Sequence, residues 1–260
     1  MLGGRHQQRP VQRLTTSTPL LDHLRALHAR GATVQESSVA EHGTGLGRLL
    51  QVDLDIKVWE EALSDRPEVE QLTAGRRELA MAIYAASSGL YVHAYAGLRI
   101  FLELSFTSVY FSANELHRRK WVADRQDFSW SRALDEDEGV LSAGFVSEFS
   151  ETASADASRY AANASASYRH CSQFIHGKLA VTKGLPEQLL FDSSVLADWL
   201  LHAGCAATAV LYLLYARYGD ELTLSAESHL GTTLESNFSH LQNIRDRLEL
   251  ANDGVSKNDC

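Results

Sequence analysis

Arginine, serine and histidine side chains recur along one short segment, Tyr168–Gly177, which reads YRHCSQFIHG. Arg169 and His176 enclose six residues, and Ser172 stands between them. Arginine carries a permanent planar cation that suits phosphate oxygens, and histidine takes up or releases a proton near neutral pH. Breaking an RNA phosphodiester by attack of its own 2′-hydroxyl needs both functions. The segment is therefore the first candidate for chemistry.

The spacing of these residues decides which of them can act together. Seven residues of α-helix turn through about 700° and rise about 10 Å, so Arg169 and His176 share a face but lie two turns apart. Ser172 falls on the same polar stripe. Within one chain the Arg169 guanidinium and the His176 imidazole are therefore too far apart to form a compact site. Two copies of the helix crossing antiparallel about a twofold axis would bring Arg169 of one chain to His176 of the other, which predicts a homodimer with a cleft between its subunits.

The elements that position this stripe are predicted to be helices. Only four prolines occur in 260 residues, which leaves long stretches where helices can run. The Ala- and Ser-rich segment 147–176 predicts one long helix that Gly177 stops. Residues 68–111 predict one very long helix or two in succession, with Gly89 and Gly97 marking a kink or close helix contacts. The sequence therefore predicts an all-α fold, a bundle of about four to five long helices.

Three parts of different character are expected along the chain. Residues 1–67 read as an N-terminal appendage of short helices and loops, because the segment 31–54 carries glycine, serine and threonine without a sustained helical period. Residues 68–250 read as the helical bundle and 251–260 as a flexible tail. Inside the bundle, the apolar stretch 195–218 contains a clean run that is too short to cross a bilayer, so it is predicted to be a buried bundle helix and no membrane association is expected.

Composition excludes several classes of function. The chain carries 24 basic and 33 acidic side chains, a net charge of −9, so a broad basic surface for duplex DNA is absent and nucleic acid would be met locally. Three cysteines share no CxxC spacing, which indicates neither a disulfide framework nor a structural zinc site. The first 13 residues are basic and polar without the apolar core of a secretory signal. A reducing cytoplasm fits these features.

The Arg169–His176 pair, closing a helix just before Gly177 in a chain predicted to be all-helical, resembles the R-x4-6-H motif of HEPN domains. The resemblance covers roughly residues 72–250. It implies a helical bundle, commonly dimeric, whose catalytic members are metal-independent ribonucleases of toxin–antitoxin, abortive-infection and phage-defence systems. It also implies that Arg169 holds the scissile phosphate and that His176 acts as general acid or base.

Supporting roles fall to four further residues. The polar residue that often follows the motif arginine in HEPN domains is here His170. Either Ser172 or His170 would orient the pair, or His170 would itself be the catalytic histidine. Arg99 and Glu103 stand four residues apart on a predicted apolar helix, where they can pair. That pair is expected to be partly buried and structural, with a contribution to the site as the alternative.

Other chemistries fit the sequence less well. Cys171 on the apolar side of its helix predicts an inert core thiol rather than a nucleophile. His170, Cys171 and His176 point in different directions from one helix, so no metal site is expected from them. GxSxG, HExxH, Rossmann and Walker patterns are absent from the sequence, and no cofactor is predicted.

Two functions follow from this reasoning. The first is an HEPN-like endoribonuclease, a toxin or phage-defence effector whose partners would be RNA and an antitoxin or defence protein. The second is a non-catalytic helical module that dimerises or docks another protein, in which Arg169 and His176 belong to a structural hydrogen-bond network.

Overall fold

The regular structure of the chain is helical throughout its described part. A computed structural model describes residues 17–241 and 244–246, and all of its regular elements there are helices. The predicted all-α class is thereby confirmed. The predicted tail, 251–260, lies outside the described residues.

The helices follow one another with short connections. In chain order they are α1 (Ser17–Ala62), α2 (Val69–Ser87), α3 (Tyr91–Ala113), α4 (Glu115–Val122), α5 (Trp130–Ala133), α6 (Ala143–Phe149), α7 (Ala157–Ile175), α8 (Leu179–Thr182), α9 (Ser193–Tyr218) and α10 (Leu224–Phe238), with 3₁₀ turns at Glu151–Asp156 and Gly219–Glu221. Helices α1, α2, α3, α7, α9 and α10 each have 15 residues or more. The narrower prediction of four or five long helices is therefore not confirmed.

Helix α1 includes residues 31–54, for which the sequence predicted loops, and that prediction was wrong. The helix is 46 residues long with a kink at His42, whose φ of −121° and ψ of 18° are not helical. Leu46, Leu49 and Ile56 are buried in the core, where α1 packs against α2, α9 and α10. Burial of these side chains outweighs the weak helix propensity of the glycines and serines in residues 31–54, since tertiary packing routinely overrides local propensity. The domain boundary near residue 67 stays a prediction.

Helices α2 and α3 form an extensive helix–helix contact. Between them the chain reverses at Gly89, whose φ of +81° is a left-handed conformation that favours glycine. Gly97 is buried on α3, and a Cβ there would lie 3.0 Å from the Cβ of Ala82 on α2. The residues 68–111 thus form two helices, and the predicted close contact at Gly97 is present.

Helix α9 lies at the centre of the bundle. It contacts α1, α2, α3, α6 and α7. Asp192 caps its N-terminus by accepting hydrogen bonds from the backbone N–H groups of Ser194 and Val195. The segment Ser193–Glu221 is long and apolar enough to cross a membrane by length and composition, but 67% of its most apolar window is buried inside the protein. This burial is typical of the core helix of a bundle, and such a helix alone is weak support for a membrane span.

Helix α7 begins later than predicted and ends where predicted. The segment 147–156 forms the end of α6 and a 3₁₀ turn, so the continuous helix starts at Ala157. At the other end the N–H of Gly177 donates to the carbonyl of Phe174 and the N–H of Lys178 to that of Gln173, which is a Schellman motif with Gly177 at a φ of +60°. His176 is the C-cap residue.

We predict that Gly97→Leu destabilises the protein by about 1–3 kcal/mol, because the new side chain overpacks the contact between α2 and α3. Gly204→Leu is the matched control on α9, where an added Cβ meets nothing within 4 Å and leucine has the higher helix propensity. Urea unfolding followed by circular dichroism measures both. Equal or greater stability of Gly97→Leu relative to Gly204→Leu would contradict the observed packing.

Candidate functional site

Arg169 and His176 project away from the core on one face of α7. The opposite face of the helix carries the buried residues Ala164, Cys171 and Phe174, and both motif side chains are exposed. Within the described part of the chain, the Arg169 guanidinium makes one hydrogen bond, from Nε to the carbonyl oxygen of Ser165 at 3.4 Å. The two side chains are therefore displayed to solvent, two turns apart as the spacing predicted.

Ser172 lies between them but forms no bridge. Its hydroxyl donates to the carbonyl oxygen of Tyr168 at 2.8 Å, the usual back-bond of a serine inside a helix. Ser172 therefore serves the backbone of α7 and does not orient Arg169 or His176.

The Arg99–Glu103 pair is present and joins α3 to α7 through Tyr168. Arg99 Nη2 lies 3.1 Å from Glu103 Oε1 and donates to the Tyr168 hydroxyl at 2.8 Å, and that hydroxyl donates to Glu103 Oε1 at 2.7 Å. The Tyr168 ring also stacks on Trp130 with 4.2 Å between centroids. Burial, followed by the Glu103 carboxylate, raises the pKa of Tyr168 to about 12. These contacts fix the position of α7 on α3, away from the face of Arg169.

His170 points in a third direction and meets a carboxylate. Its Nε2 lies 2.7 Å from Asp198 Oδ2 on α9, and the Tyr95 hydroxyl of α3 donates to the same oxygen at 2.5 Å. The His170 ring stacks on that of His202, with 3.9 Å between centroids and 17° between planes. We call Tyr95, His170, Asp198 and His202 the two-histidine cluster. Three helices meet there.

The electrostatics of the two-histidine cluster favour one negative charge, on Asp198. Burial alone would raise the pKa of Asp198, but the hydrogen bonds from Tyr95 and His170 outweigh it and the pKa is lowered. Burial and then the Asp198 carboxylate raise the pKa of Tyr95. Burial, with the adjacent His170, lowers the pKa of His202 despite the opposing effect of Asp198. The cluster thus combines a carboxylate with an imidazole that favours its neutral form.

A cavity of about 300 Å³ opens beside the two-histidine cluster. Tyr95, His170 and Asp198 line one side of it, and Phe174 and Leu185 contribute apolar walls. A small ligand entering this cavity would meet the carboxylate and one imidazole directly. The side chains of Arg169 and His176 do not line it.

Sequence reasoning missed the two-histidine cluster. Asp198 and His202 interrupt the apolar stretch 195–218, and their i, i+4 spacing places both on one face of α9. That spacing was the available signal. The approach of His170 from α7 depends on tertiary packing, which no local pattern encodes.

A serine, a histidine and a glutamate also meet at the kink of α1. His42 Nε2 lies 2.9 Å from Ser193 Oγ, and Ser193 donates a hydrogen bond to Glu41 Oε1. Because the single hydroxyl proton goes to Glu41, His42 must donate to Ser193 and cannot act as its base. The arrangement therefore joins the kink of α1 to the start of α9 and is not a nucleophilic triad.

Cys171 is the inert core thiol that the sequence predicted. The residue is fully buried, and burial raises the pKa of its thiol to about 12. A thiol is a poor nucleophile when its thiolate form is this strongly disfavoured.

Comparison with known proteins identifies no relative of this chain. No protein-family model, curated protein or solved structure matches the chain. The assignment to the HEPN superfamily therefore stays a prediction that rests on the motif and the helical fold.

We predict that Tyr168→Phe lowers the free energy of unfolding by about 0.5–1.5 kcal/mol at pH 7, because the hydroxyl links Arg99 and Glu103 while the ring stack remains. Burial raises the pKa of Tyr168 from 10 to about 12, so the unfolded chain loses this proton first. The stabilisation is present below pH 10 and is lost as the pH rises through 12.

Urea unfolding of the wild type and Tyr168→Phe at pH 7, 9, 10 and 11 tests this, and the difference between them should shrink above pH 10. Tyr84→Phe is the control, since Tyr84 is 54% exposed on α2. A difference that stays constant or grows in alkali would contradict the assignment.

Proposed function

We propose that the protein is an HEPN-like, metal-independent endoribonuclease that acts as a homodimer through Arg169 and His176. The observation that carries this proposal is that both side chains stand exposed on one outward face of α7, at the end of the helix. A structural pair would be expected to bond within the chain. Here, among the described residues, Arg169 makes one bond to the backbone of its own helix, and its remaining N–H groups and the His176 imidazole are available to a ligand or to a second subunit.

The outward face of α7 suits close approach of another helix. Ala162 and Ala166 are exposed there and Ser165 is partly exposed, so small side chains precede Arg169 along the face. Two copies of α7 crossing antiparallel would bring Arg169 near His176 of the partner subunit. Such a pair could contact one phosphate. Within one chain this is prevented, because a helical rise of about 10 Å separates the two residues.

The proposed chemistry requires only these two side-chain types. Histidine takes the proton of the ribose 2′-hydroxyl as its oxygen forms a bond to phosphorus, and a protonated histidine returns a proton to the 5′-oxygen as the P–O5′ bond breaks. Arginine stabilises the charge that develops on the phosphoryl oxygens. The products would be a 2′,3′-cyclic phosphate and a 5′-hydroxyl. A toxin or phage-defence role, held in check by an antitoxin or another partner protein, belongs to the same proposal.

The supporting residues need new roles within this proposal. Arg99 and Glu103 hold Tyr168, and His170 meets Asp198. Both sets of contacts fix α7 on the bundle from either side of Arg169. They would act on catalysis only by positioning the helix that carries the motif.

One observation favours the second function, a non-catalytic module for dimerisation or docking. Each of the four supporting side chains, Arg99, Glu103, His170 and Ser172, bonds within the chain and none bonds to Arg169 or His176. An interaction surface needs only the exposed face of α7 and no such support. Variants of Arg169 and His176 therefore have to be tested for both RNA cleavage and self-association.

We predict that Arg169→Ala and His176→Ala each reduce the rate of RNA cleavage by about 10²–10⁴-fold, the usual contribution of general acid–base and charge-stabilising groups. Cleavage of a labelled RNA in excess EDTA measures it. Arg77→Ala and His93→Gln are matched controls, because both residues are exposed on other helices. If the wild-type protein leaves RNA intact even with the products of its neighbouring genes present, the ribonuclease proposal is contradicted. The non-catalytic module would then be the remaining proposal.

We also predict that mixed dimers of Arg169→Ala and His176→Ala chains regain cleavage, because one of their two composite sites is intact. Two affinity tags allow the mixed dimers to be isolated and verified. Absence of recovery in verified mixed dimers would place the site within one chain. A protein that sediments as a monomer at micromolar concentration would remove the basis of the proposal.

A further inference from the structure

The two-histidine cluster has the composition of a transition-metal site. His170 contributes one imidazole from α7, and Asp198 and His202 contribute a carboxylate and a second imidazole from α9. One donor atom from each lies within 4.8 Å of the other two. Two imidazoles and a carboxylate suit borderline divalent ions such as Zn²⁺, whereas all-oxygen sites suit hard ions such as Mg²⁺.

The position of Asp198 explains why a cation fits between these groups. Its Oδ2 is hydrogen bonded to Tyr95 and His170, whereas Oδ1 lies 3.9 Å from His202 Nε2, beyond hydrogen-bonding distance. Tyr95 would remain as an outer partner that orients the carboxylate, as such groups do in metal sites. The cavity of about 300 Å³ beside Asp198 and His170 leaves room for water or a substrate oxygen as a further ligand.

We propose that His170, Asp198 and His202 bind one Zn²⁺-class ion with an open coordination position facing this cavity. Zn–N and Zn–O bonds of about 2.0–2.1 Å require donor atoms about 3.3 Å apart in a tetrahedral site. The His170–Asp198 distance of 2.7 Å would widen and the His202–Asp198 distance of 3.9 Å would narrow. The ion would replace the proton between His170 and Asp198, and the stacked rings would tilt apart toward it.

This proposal is independent of the ribonuclease proposal. The metal ligands come from one chain and lie where α7 packs on α9, to one side of the exposed face that carries Arg169 and His176. The ion would therefore not contact the RNA that these two residues would hold. Cleavage in EDTA and metal binding in the absence of RNA can succeed or fail separately.

Titration of metal-free, untagged full-length protein with Co²⁺ tests the site, because Co²⁺ bound by two imidazoles and a carboxylate in four- or five-coordinate geometry gives intense visible absorption. We expect one equivalent to bind, Zn²⁺ to displace it, and Zn²⁺ to raise the melting temperature. His202→Gln and Asp198→Asn should each weaken binding by more than about 100-fold, and Tyr95→Phe by about 10-fold, as expected for a ligand and for an outer partner.

His93→Gln is the control, since it removes an exposed histidine outside the cluster, and it should bind like the wild type. Absence of the Co²⁺ spectrum in folded wild-type protein would overturn the proposal, whatever the variants do. Binding that survives unchanged in folded His202→Gln and Asp198→Asn would also overturn it, because the ion would then lie elsewhere. In either case the cluster would be a hydrogen-bond network only.

Discussion

The burial of α9 is the constraint on which the rest of the bundle depends. Residues 209–216 of this helix are all buried, so apolar side chains around its whole circumference need cover. Each fully buried leucine or valine contributes about 1.5–3 kcal/mol relative to exposure, which makes an uncovered α9 strongly unfavourable. Helices α1, α3 and α7 supply that cover. Their faces toward α9 are therefore fixed, and so are the faces that they turn to solvent.

On helix α7 this constraint directs adjacent side chains into different surroundings. Successive residues of a helix point about 100° apart, so Tyr168, Arg169 and His170 reach three different surroundings. Tyr168 meets Arg99 and Glu103, His170 meets Asp198, and Arg169 faces solvent. The side chains of these three adjacent residues therefore make separate contacts. Those of Tyr168 and His170 hold α7 in place, and Arg169 between them is exposed on it.

Local patterns predicted what depends on local physics. The left-handed glycine at position 177 ends α7, and Arg99 pairs with Glu103 one turn away, both as the sequence indicated. The same reasoning failed for α1, where Leu46 and Ile56 bury against distant helices and override an unfavourable local composition. It missed the two-histidine cluster for the same reason, since the contact between His170 and Asp198 spans 28 residues. What sequence patterns lacked in both cases was tertiary packing.

The two proposed sites on α7 differ in what completes them. The cluster of His170, Asp198 and His202 has its donor atoms assembled by the packing of α7 on α9, so a single chain suffices. Arg169 and His176 are assembled only on a helix face and need a second subunit to converge. Folding of one chain is therefore enough to assemble the first site. Assembly of the second site depends on protein concentration and on whether another protein covers the outward face of α7. A protein that covers this face would block the composite site and leave the cluster intact.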